Sequence, residues 1–194
     1  MNLLLEALPE EVNGYPCNTD FRVMVQFELM LQTPDVDVEQ VLKEAFRLFY
    51  ISPPPSLEEA AEGLLWFYRC GREERQPEGG GRSAAQAYSF DQDAGYIYAA
   101  FLAQYGIDLT GVKMHWWKFR ALFSALESGN VITEIMGYRT VDTKGMSRRE
   151  KARYDRLKKI YALKNTSRRA RMSCEEYNRQ MQSYVERRYR ENKM

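Results

Sequence analysis

The 194-residue sequence has a single histidine, His115, and only three cysteines, Cys17, Cys70 and Cys174. Zinc sites need Cys and His ligands at short spacing, and neither a CxxC nor a Cys/His cluster is present. The odd number of cysteines favours reduced thiols, and Cys70 is predicted to be a small buried apolar residue at a helix end. Because a Cys-His catalytic pair would need the one histidine as its base, we expect no metal, no cofactor and no enzymatic activity.

Long apolar segments are also missing. The longest unbroken apolar run, 96–103, is far shorter than the roughly 20 residues of a transmembrane helix. The first residues lack a basic region and are interrupted by Glu6, which argues against a secretory signal. We therefore expect a cytoplasmic protein without a membrane partner. The content of 44% apolar and 13% aromatic residues predicts a folded chain, because disorder requires low hydrophobicity.

The net charge is only +1, but the charges are unevenly distributed. Residues 1–138 hold 10 Lys and Arg against 20 Asp and Glu, a net charge of −10, whereas residues 139–194 hold 18 against 7, a net charge of +11. An asymmetry of this size indicates a binding tail, or attraction within the chain or between subunits.

Local signals along the chain predict a mainly α fold. Four serines, each followed three residues later by Glu or Gln, precede helical apolar patterns and form candidate capping boxes: Ser56, Ser89, Ser147 and Ser173. Asp37 is a further N-cap candidate. After Thr19 and Asp20 the apolar residues fit either a strand or a helix, and the two N-cap candidates favour a helix. The segment 12–15, Val-Asn-Gly-Tyr, predicts a small N-terminal β-hairpin. The expected fold is a helical bundle with that hairpin and a basic C-terminal helix.

Two aromatic stripes at helical spacing predict two helices that pack face to face as a helical hairpin. Their apolar residues are Ala94, Tyr98, Phe101, Leu102 and Tyr105 before Gly106, then Trp116, Phe119, Phe123 and Leu126. We expect the Trp cluster to form core and an adjacent interface rather than a platform for ligands. His115 should make a local hydrogen bond at the helix start. Asp91 and Asp93 should place negative charge in the first turn of the first helix rather than act as an acid-base pair.

The organisation that we predict is a helical core over 1–164, with a mobile Gly-rich loop at about 72–87, followed by a basic tether and an amphipathic helix over 165–194. Cations concentrate at 148–159 and 168–171, a pattern that fits a solvated face, an acidic partner or nucleic acid. An apolar strip on the last segment, which includes Val185, suits it to lying against another helix. The predicted partner-binding residues are Trp117, Arg168, Arg169, Tyr177, Met181, Tyr184 and Arg188.

Several motifs resemble one known family. They are NTDFR at 18–22, the DxD of Asp91 and Asp93, Tyr98 with Phe101, QYGIDL at 104–109, HWWKFRAL at 115–122, GYR at 137–139 and KKxYAL at 158–163. Together they are similar to the bacteriophage "gene product fifteen" family of long-tailed phages and prophages of Gram-positive bacteria. The chain departs from the family pattern around Gly80 and after Lys164.

This resemblance implies a tail-assembly chaperone whose partner is the tape-measure protein, with the tail tube protein and a second copy as further candidates. It also implies action in the cytoplasm of the bacterial host and absence from the mature virion. Two alternatives stay open: a protein that binds nucleic acid without sequence preference through its basic C-terminal third, and a structural tail component.

Overall fold

The computed structural model describes residues 3–32, 37–72 and 86–164. Across these residues the chain forms one two-stranded antiparallel sheet and seven helices, so the predicted mainly α fold is confirmed. The elements in chain order are β1 (Glu11–Val12), β2 (Tyr15–Pro16), α1 (Phe21–Gln32), α2 (Val38–Phe49), α3 (Leu57–Tyr68), α4 (Ala94–Tyr105), α5 (Trp116–Ser124), α6 (Val131–Thr140) and α7 (Arg148–Ile160).

The described residues divide into two compact units. The first unit comprises 3–32, 37–72 and 113–121, and the second comprises 86–112 and 122–164. A single core domain over 1–164 stays a prediction. Most of the predicted loop at 72–87, the fourth capping box and the whole segment 165–194 lie outside the described residues.

In the first unit, the N-terminal hairpin forms where it was predicted. Asn13 and Gly14 both have positive φ, +53° and +81°, and Val12 pairs with Tyr15 across the turn. Positive φ at both central positions is what a type I′ turn requires, and Asn-Gly tolerates it best. The side chain of Val12 is buried, so the hairpin covers part of the core of this unit.

The ambiguous segment after Asp20 is a helix, α1. The Asp20 carboxylate accepts a hydrogen bond from the Arg22 backbone N–H at 3.0 Å and also binds the Arg22 guanidinium. The bond to the backbone N–H favours the start of a helix here, because the carboxylate satisfies a backbone donor that has no partner inside the helix. Helix α1 packs against α2, and α2 packs against α3. The largest fully buried aliphatic and phenyl side chains of these three helices are Met24, Phe27, Leu42, Phe49, Leu64 and Phe67.

The predicted starts of α2 and α3 are confirmed. Asp37 accepts from the backbone N–H of Glu39, and Ser56 accepts from that of Glu59. The end of α3 differs from the prediction, because Cys70 adopts a left-handed backbone with φ +58° and is only half-buried. Leu57, the first residue of α3, is 39% exposed.

In the second unit, α4 packs against α6, and α6 packs against α7. Helices α4 and α5 do not pack face to face as predicted; within the second unit, α4 meets the end of α5 through the bond from the Tyr105 hydroxyl to the Leu122 carbonyl at 2.9 Å. Only Phe101 of the first predicted stripe is buried, and α4 buries Ile97 and Ala100 beside it. The second stripe is buried at Trp116, Phe119 and Phe123. Leu102, predicted to be inward, is 45% exposed. The capping pattern at Ser89 closes a turn before α4 rather than α4 itself, since its hydroxyl accepts from Asp91 and Gln92.

Helix α7 begins with a complete capping box, as predicted. The Ser147 hydroxyl accepts from the Glu150 N–H at 3.3 Å, and the Glu150 carboxylate accepts from the Ser147 N–H at 3.1 Å. None of its residues is buried. Lys158 holds one edge of the helix in place by donating to the Val141 carbonyl at 2.7 Å.

The close approach of α3 to Tyr50 makes Gly63 a sensitive position. A Cβ at Gly63 would stand 2.5 Å from the Tyr50 hydroxyl oxygen and 2.9 Å from a methyl carbon of Val12. We predict that Gly63→Ala destabilises the protein by about 1–3 kcal/mol, the usual cost of overpacking. The matched control is Gly137→Ala in α6, where nothing lies within 4 Å of the new Cβ and where the helix should gain roughly 0.5–1 kcal/mol. Thermal unfolding followed by circular dichroism measures both, and equal shifts would contradict the prediction.

Candidate partner-binding surfaces

Trp117 is the one residue of the predicted contact set that the structure describes. It is 1% exposed, and its indole Nε1 donates to the Phe67 carbonyl at 2.8 Å. It therefore belongs to the core of the first unit and offers no surface to a partner in this conformation. The other six residues of that set, Arg168, Arg169, Tyr177, Met181, Tyr184 and Arg188, lie outside the described residues.

Trp116 makes an equivalent hydrogen bond to the next residue of α3, since its indole Nε1 donates to the Tyr68 carbonyl at 2.9 Å. Both carbonyls belong to the last turn of α3, where helix carbonyls have no partner inside the helix. Trp116 also stands in a stack of four rings, formed by Phe21, Phe119, Trp116 and Tyr68, with successive centroids 4.7, 5.7 and 5.7 Å apart. The predicted core role of Trp116 and Phe119 is confirmed, and the indole edges act as helix caps.

His115 makes the predicted local hydrogen bond. Its Nδ1 accepts from the Trp117 backbone N–H at 3.0 Å, so its Nε2 carries the proton that it donates to the Pro9 carbonyl, also at 3.0 Å. Both ring nitrogens are thus committed to backbone groups, which leaves neither as a base for a thiol. Burial lowers the pKa of His115, and burial raises the pKa of Cys17 to about 11. A Cys-His nucleophile has no support in this arrangement.

Asp93 differs from its predicted role. It is the N-cap residue of α4, but its side chain makes no capping hydrogen bond; instead its carboxylate forms a bidentate pair with Arg139 at 2.6 and 2.9 Å. The two side chains are 3% and 8% exposed. Arg139 also donates to the carbonyls of Ala87 and Tyr161, and Asp93 accepts from the Ser89 N–H. A buried charge is tolerated when it is paired and fully hydrogen-bonded, as here. Asp91 is exposed and also lies before the helix, so no acid-base pair forms.

Gln104, in the QYGIDL motif, holds the segment after α5. Its side-chain oxygen accepts from the Glu127 N–H at 2.9 Å and from the Asn130 amide at 2.8 Å, while its nitrogen donates to the Ala125 carbonyl. Gln104, Arg139 and Trp116 each lie in a motif that carries the resemblance, and each of the three holds the scaffold together.

Glu28 is a buried acidic residue that the sequence reasoning missed. It is 8% exposed and accepts from the Tyr68 hydroxyl at 2.8 Å. Burial raises its pKa, an effect that the Tyr68 hydrogen bond and the nearby Arg120 partly offset. The helical spacing could have predicted this burial, because Glu28 follows Phe21 and Met24 at the intervals that place residues on one face of a helix.

Two exposed surfaces suit a macromolecular partner. The first is α7, in which seven of thirteen residues are cations: Arg148, Arg149, Lys151, Arg153, Arg156, Lys158 and Lys159. The second consists of large apolar side chains exposed singly on each unit, the most exposed of which, outside the N-terminal leucines, are Ile51 (75%) in the first unit and Ile160 (63%) and Val131 (54%) in the second. Within residues 3–32, 37–72 and 86–164, no group of Cys, His, Asp or Glu could hold a metal ion. Over the same ranges, no helix has the length and apolar content needed to cross a bilayer.

A family model described as "Bacteriophage Gp15 protein" matches residues 3–163. No curated protein and no solved structure matches the chain.

The buried pair of Asp93 and Arg139 generates a stability prediction. Replacing Arg139 by Met leaves the Asp93 carboxylate buried without its cation, which typically costs about 3–5 kcal/mol. The control is Arg47→Met, which breaks the exposed Arg47–Glu44 pair on α2 and should change stability little. Chemical denaturation followed by circular dichroism compares the two variants. An equal loss of unfolding free energy in both variants would show that the buried pair stabilises the protein no more than the exposed pair does.

The tautomer of His115 generates a pH prediction. Burial disfavours the charged imidazolium and lowers the pKa of His115. Protonation would also place a hydrogen on Nδ1, which faces the Trp117 N–H. The unfolded state therefore binds more protons over the interval below the ordinary pKa of about 6.5. The stability contributed by His115 is complete above that value and is lost as the pH falls through the folded-state pKa.

The test compares the wild type with His115→Asn, which keeps an acceptor at the helix start but does not titrate. The free energy of unfolding, measured between pH 5 and 8, should fall more steeply toward acid in the wild type. The raised pKa of Glu28 acts in the opposite direction, but it is present in both proteins and cancels in the difference. Parallel curves would contradict the prediction.

Proposed function

The chain belongs to the bacteriophage Gp15 protein family, and on that premise we propose that it is a tail-assembly chaperone. In this proposal it binds the tape-measure protein in the cytoplasm of the bacterial host while tail tube subunits polymerise, and it is absent from the mature virion. The observation that carries the proposal is the family match over most of the chain. The role is one of binding, without catalysis.

The described surface supports this proposal in one respect. A chaperone for a long helical protein needs exposed apolar positions that can shield the apolar face of a helix. Ile51 is such a position, since the bond from its backbone N–H to the Pro16 carbonyl fixes the chain while its side chain is 75% exposed. Val131 and Ile160 are further examples in the second unit.

Co-expression with the tape-measure protein of the same phage tests the proposal. We expect the tape-measure protein to stay soluble and to co-elute with this chain, and to aggregate without it. Failure of the two proteins to co-elute at matched expression would overturn the proposal. Mass spectrometry of purified virions separates a chaperone, which should be absent, from a structural tail component, which would be present at stoichiometric level.

A matched pair of variants then examines the Ile51 surface. Ile51→Asp and Ser52→Asp add the same charge at adjacent exposed positions, but only the first removes an apolar side chain. We expect Ile51→Asp to reduce capture of the tape-measure protein and Ser52→Asp to leave it unchanged. Equal capture by both variants would exclude this surface from the contact.

The exposed cations of α7 favour one second candidate, binding to nucleic acid. A surface of this kind neutralises phosphates, so affinity falls steeply with salt and shows little sequence preference. Gln substitutions at Arg149, Arg153 and Arg156 should lower both the affinity and the salt slope, whereas Arg47→Gln on α2 should not. Strong salt-dependent DNA or RNA binding, together with no capture of the tape-measure protein, would make this candidate the better one.

A further inference from the structure

Helix α4 has one face that no described element covers. The helix contains no charged residue, and five of its six exposed positions fall on one side, Gly95, Tyr96, Ala99, Leu102 and Ala103, with Ala94 apart from them. Tyr96 and Leu102 are 44% and 45% exposed. An uncharged helix face with two large apolar side chains and several small residues allows a second helix to approach closely.

Acidic residues stand at both ends of this face. Asp91 is exposed before the helix, and Asp108 is exposed after it. Hydrogen bonds from Thr110 lower the pKa of Asp108, so its carboxylate is ionised at neutral pH. A second copy of α4 would place like charges opposite each other in either orientation. The complementary occupant is an amphipathic segment that carries an apolar strip together with cations.

The described chain ends beside the start of this face. The Lys164 backbone N–H donates to the Gln92 side-chain oxygen at 2.8 Å, and the Gln92 side-chain nitrogen donates to the Lys164 carbonyl at 3.1 Å. Gln92 lies two residues before α4. The chain beyond Lys164 therefore starts at the N-terminal end of the uncovered face.

The thirty residues that follow Lys164 have the required composition. They contain eight Lys and Arg against four Asp and Glu, and Tyr177, Met181, Tyr184 and Val185 recur at helical spacing. The stretch 165–172 can span up to about 26–29 Å, whereas the twelve residues of α4 rise about 18 Å. The tether is thus long enough to bring residue 173 to either end of the helix.

We propose that segment 173–190 docks in the same chain on the exposed face of α4, with its apolar strip against Tyr96 and Leu102 and its cations near Asp91 and Asp108. The segment would keep this apolar face from solvent in the free protein. The proposal concerns the isolated chain and holds whether or not the tape-measure protein is the partner.

Cross-linking within the full-length chain tests the proposal. With Cys70 and Cys174 replaced by Ser, a cysteine is placed at Met181 and paired either with Ala99→Cys on the α4 face or with Ala152→Cys on α7, both exposed alanines of helices. A short bis-maleimide should cross-link the Ala99 pair within one chain in high yield and the Ala152 pair severalfold less. Peptide mass spectrometry identifies the linked residues, and circular dichroism confirms that each variant is folded.

Three results would overturn the proposal: no cross-link at either position, equal yields at both, or links between chains only. Leu102→Asp in the Ala99 pair supplies an independent check, because it should reduce the yield severalfold, whereas Val131→Asp, at an exposed apolar position of α6 outside the face, should not. The yield should also fall as salt is raised, since screening weakens exposed charge pairs. None of these measurements involves the tape-measure protein, so they fail or succeed separately from the proposed function.

Discussion

The first unit depends on the two indole N–H groups of α5, which cap the last carbonyls of α3. Trp116 and Trp117 donate to consecutive carbonyls at 2.9 and 2.8 Å while both ring systems are buried. A helix end buried without partners would be costly, and an indole is one of few side chains that supply a donor and a large apolar surface together. The ring stack contains Trp116, and His115 binds the backbone N–H of Trp117, so both sets of contacts help to hold the two indoles in place.

In the second unit, an arginine side chain rather than an indole supplies the hydrogen-bond donors for backbone carbonyls. Arg139 gathers one carboxylate and two carbonyls from three separate stretches of chain, at Asp93, Ala87 and Tyr161. Its guanidinium has several donors in a fixed plane, so it can join irregular segments that have no regular backbone pairing. Because Tyr161 also stacks on Tyr138 at 5.7 Å, the end of α7 is held by both a polar and an aromatic contact.

These arrangements also explain which parts of the fold could be predicted from the sequence. Signals that act within three or four residues, such as the Ser147 capping box and the Asn13-Gly14 turn, were predicted correctly because both partners are neighbours in the chain. The pairing of Asp93 with Arg139 spans 46 positions, and no pattern within a few residues of either one predicts it. Helix α6 was not predicted, since only Ile132 and Ile135 of its residues are buried and the apolar pattern is weak. Of the predicted contact residues, Trp117 proved to be core, because its partner Phe67 lies 50 positions earlier and the sequence does not reveal that contact.

The location of the tryptophans has a spectroscopic consequence. All three, Trp66, Trp116 and Trp117, lie in the first unit, two of them buried and one 40% exposed. Indole fluorescence therefore reports on the first unit alone, whereas far-ultraviolet circular dichroism reports on the helices of both. If the two signals trace the same unfolding curve, the units behave as one cooperative body; if the curves separate, each unit has its own stability. The placement of the three tryptophans thus lets two optical signals show whether the two units unfold together.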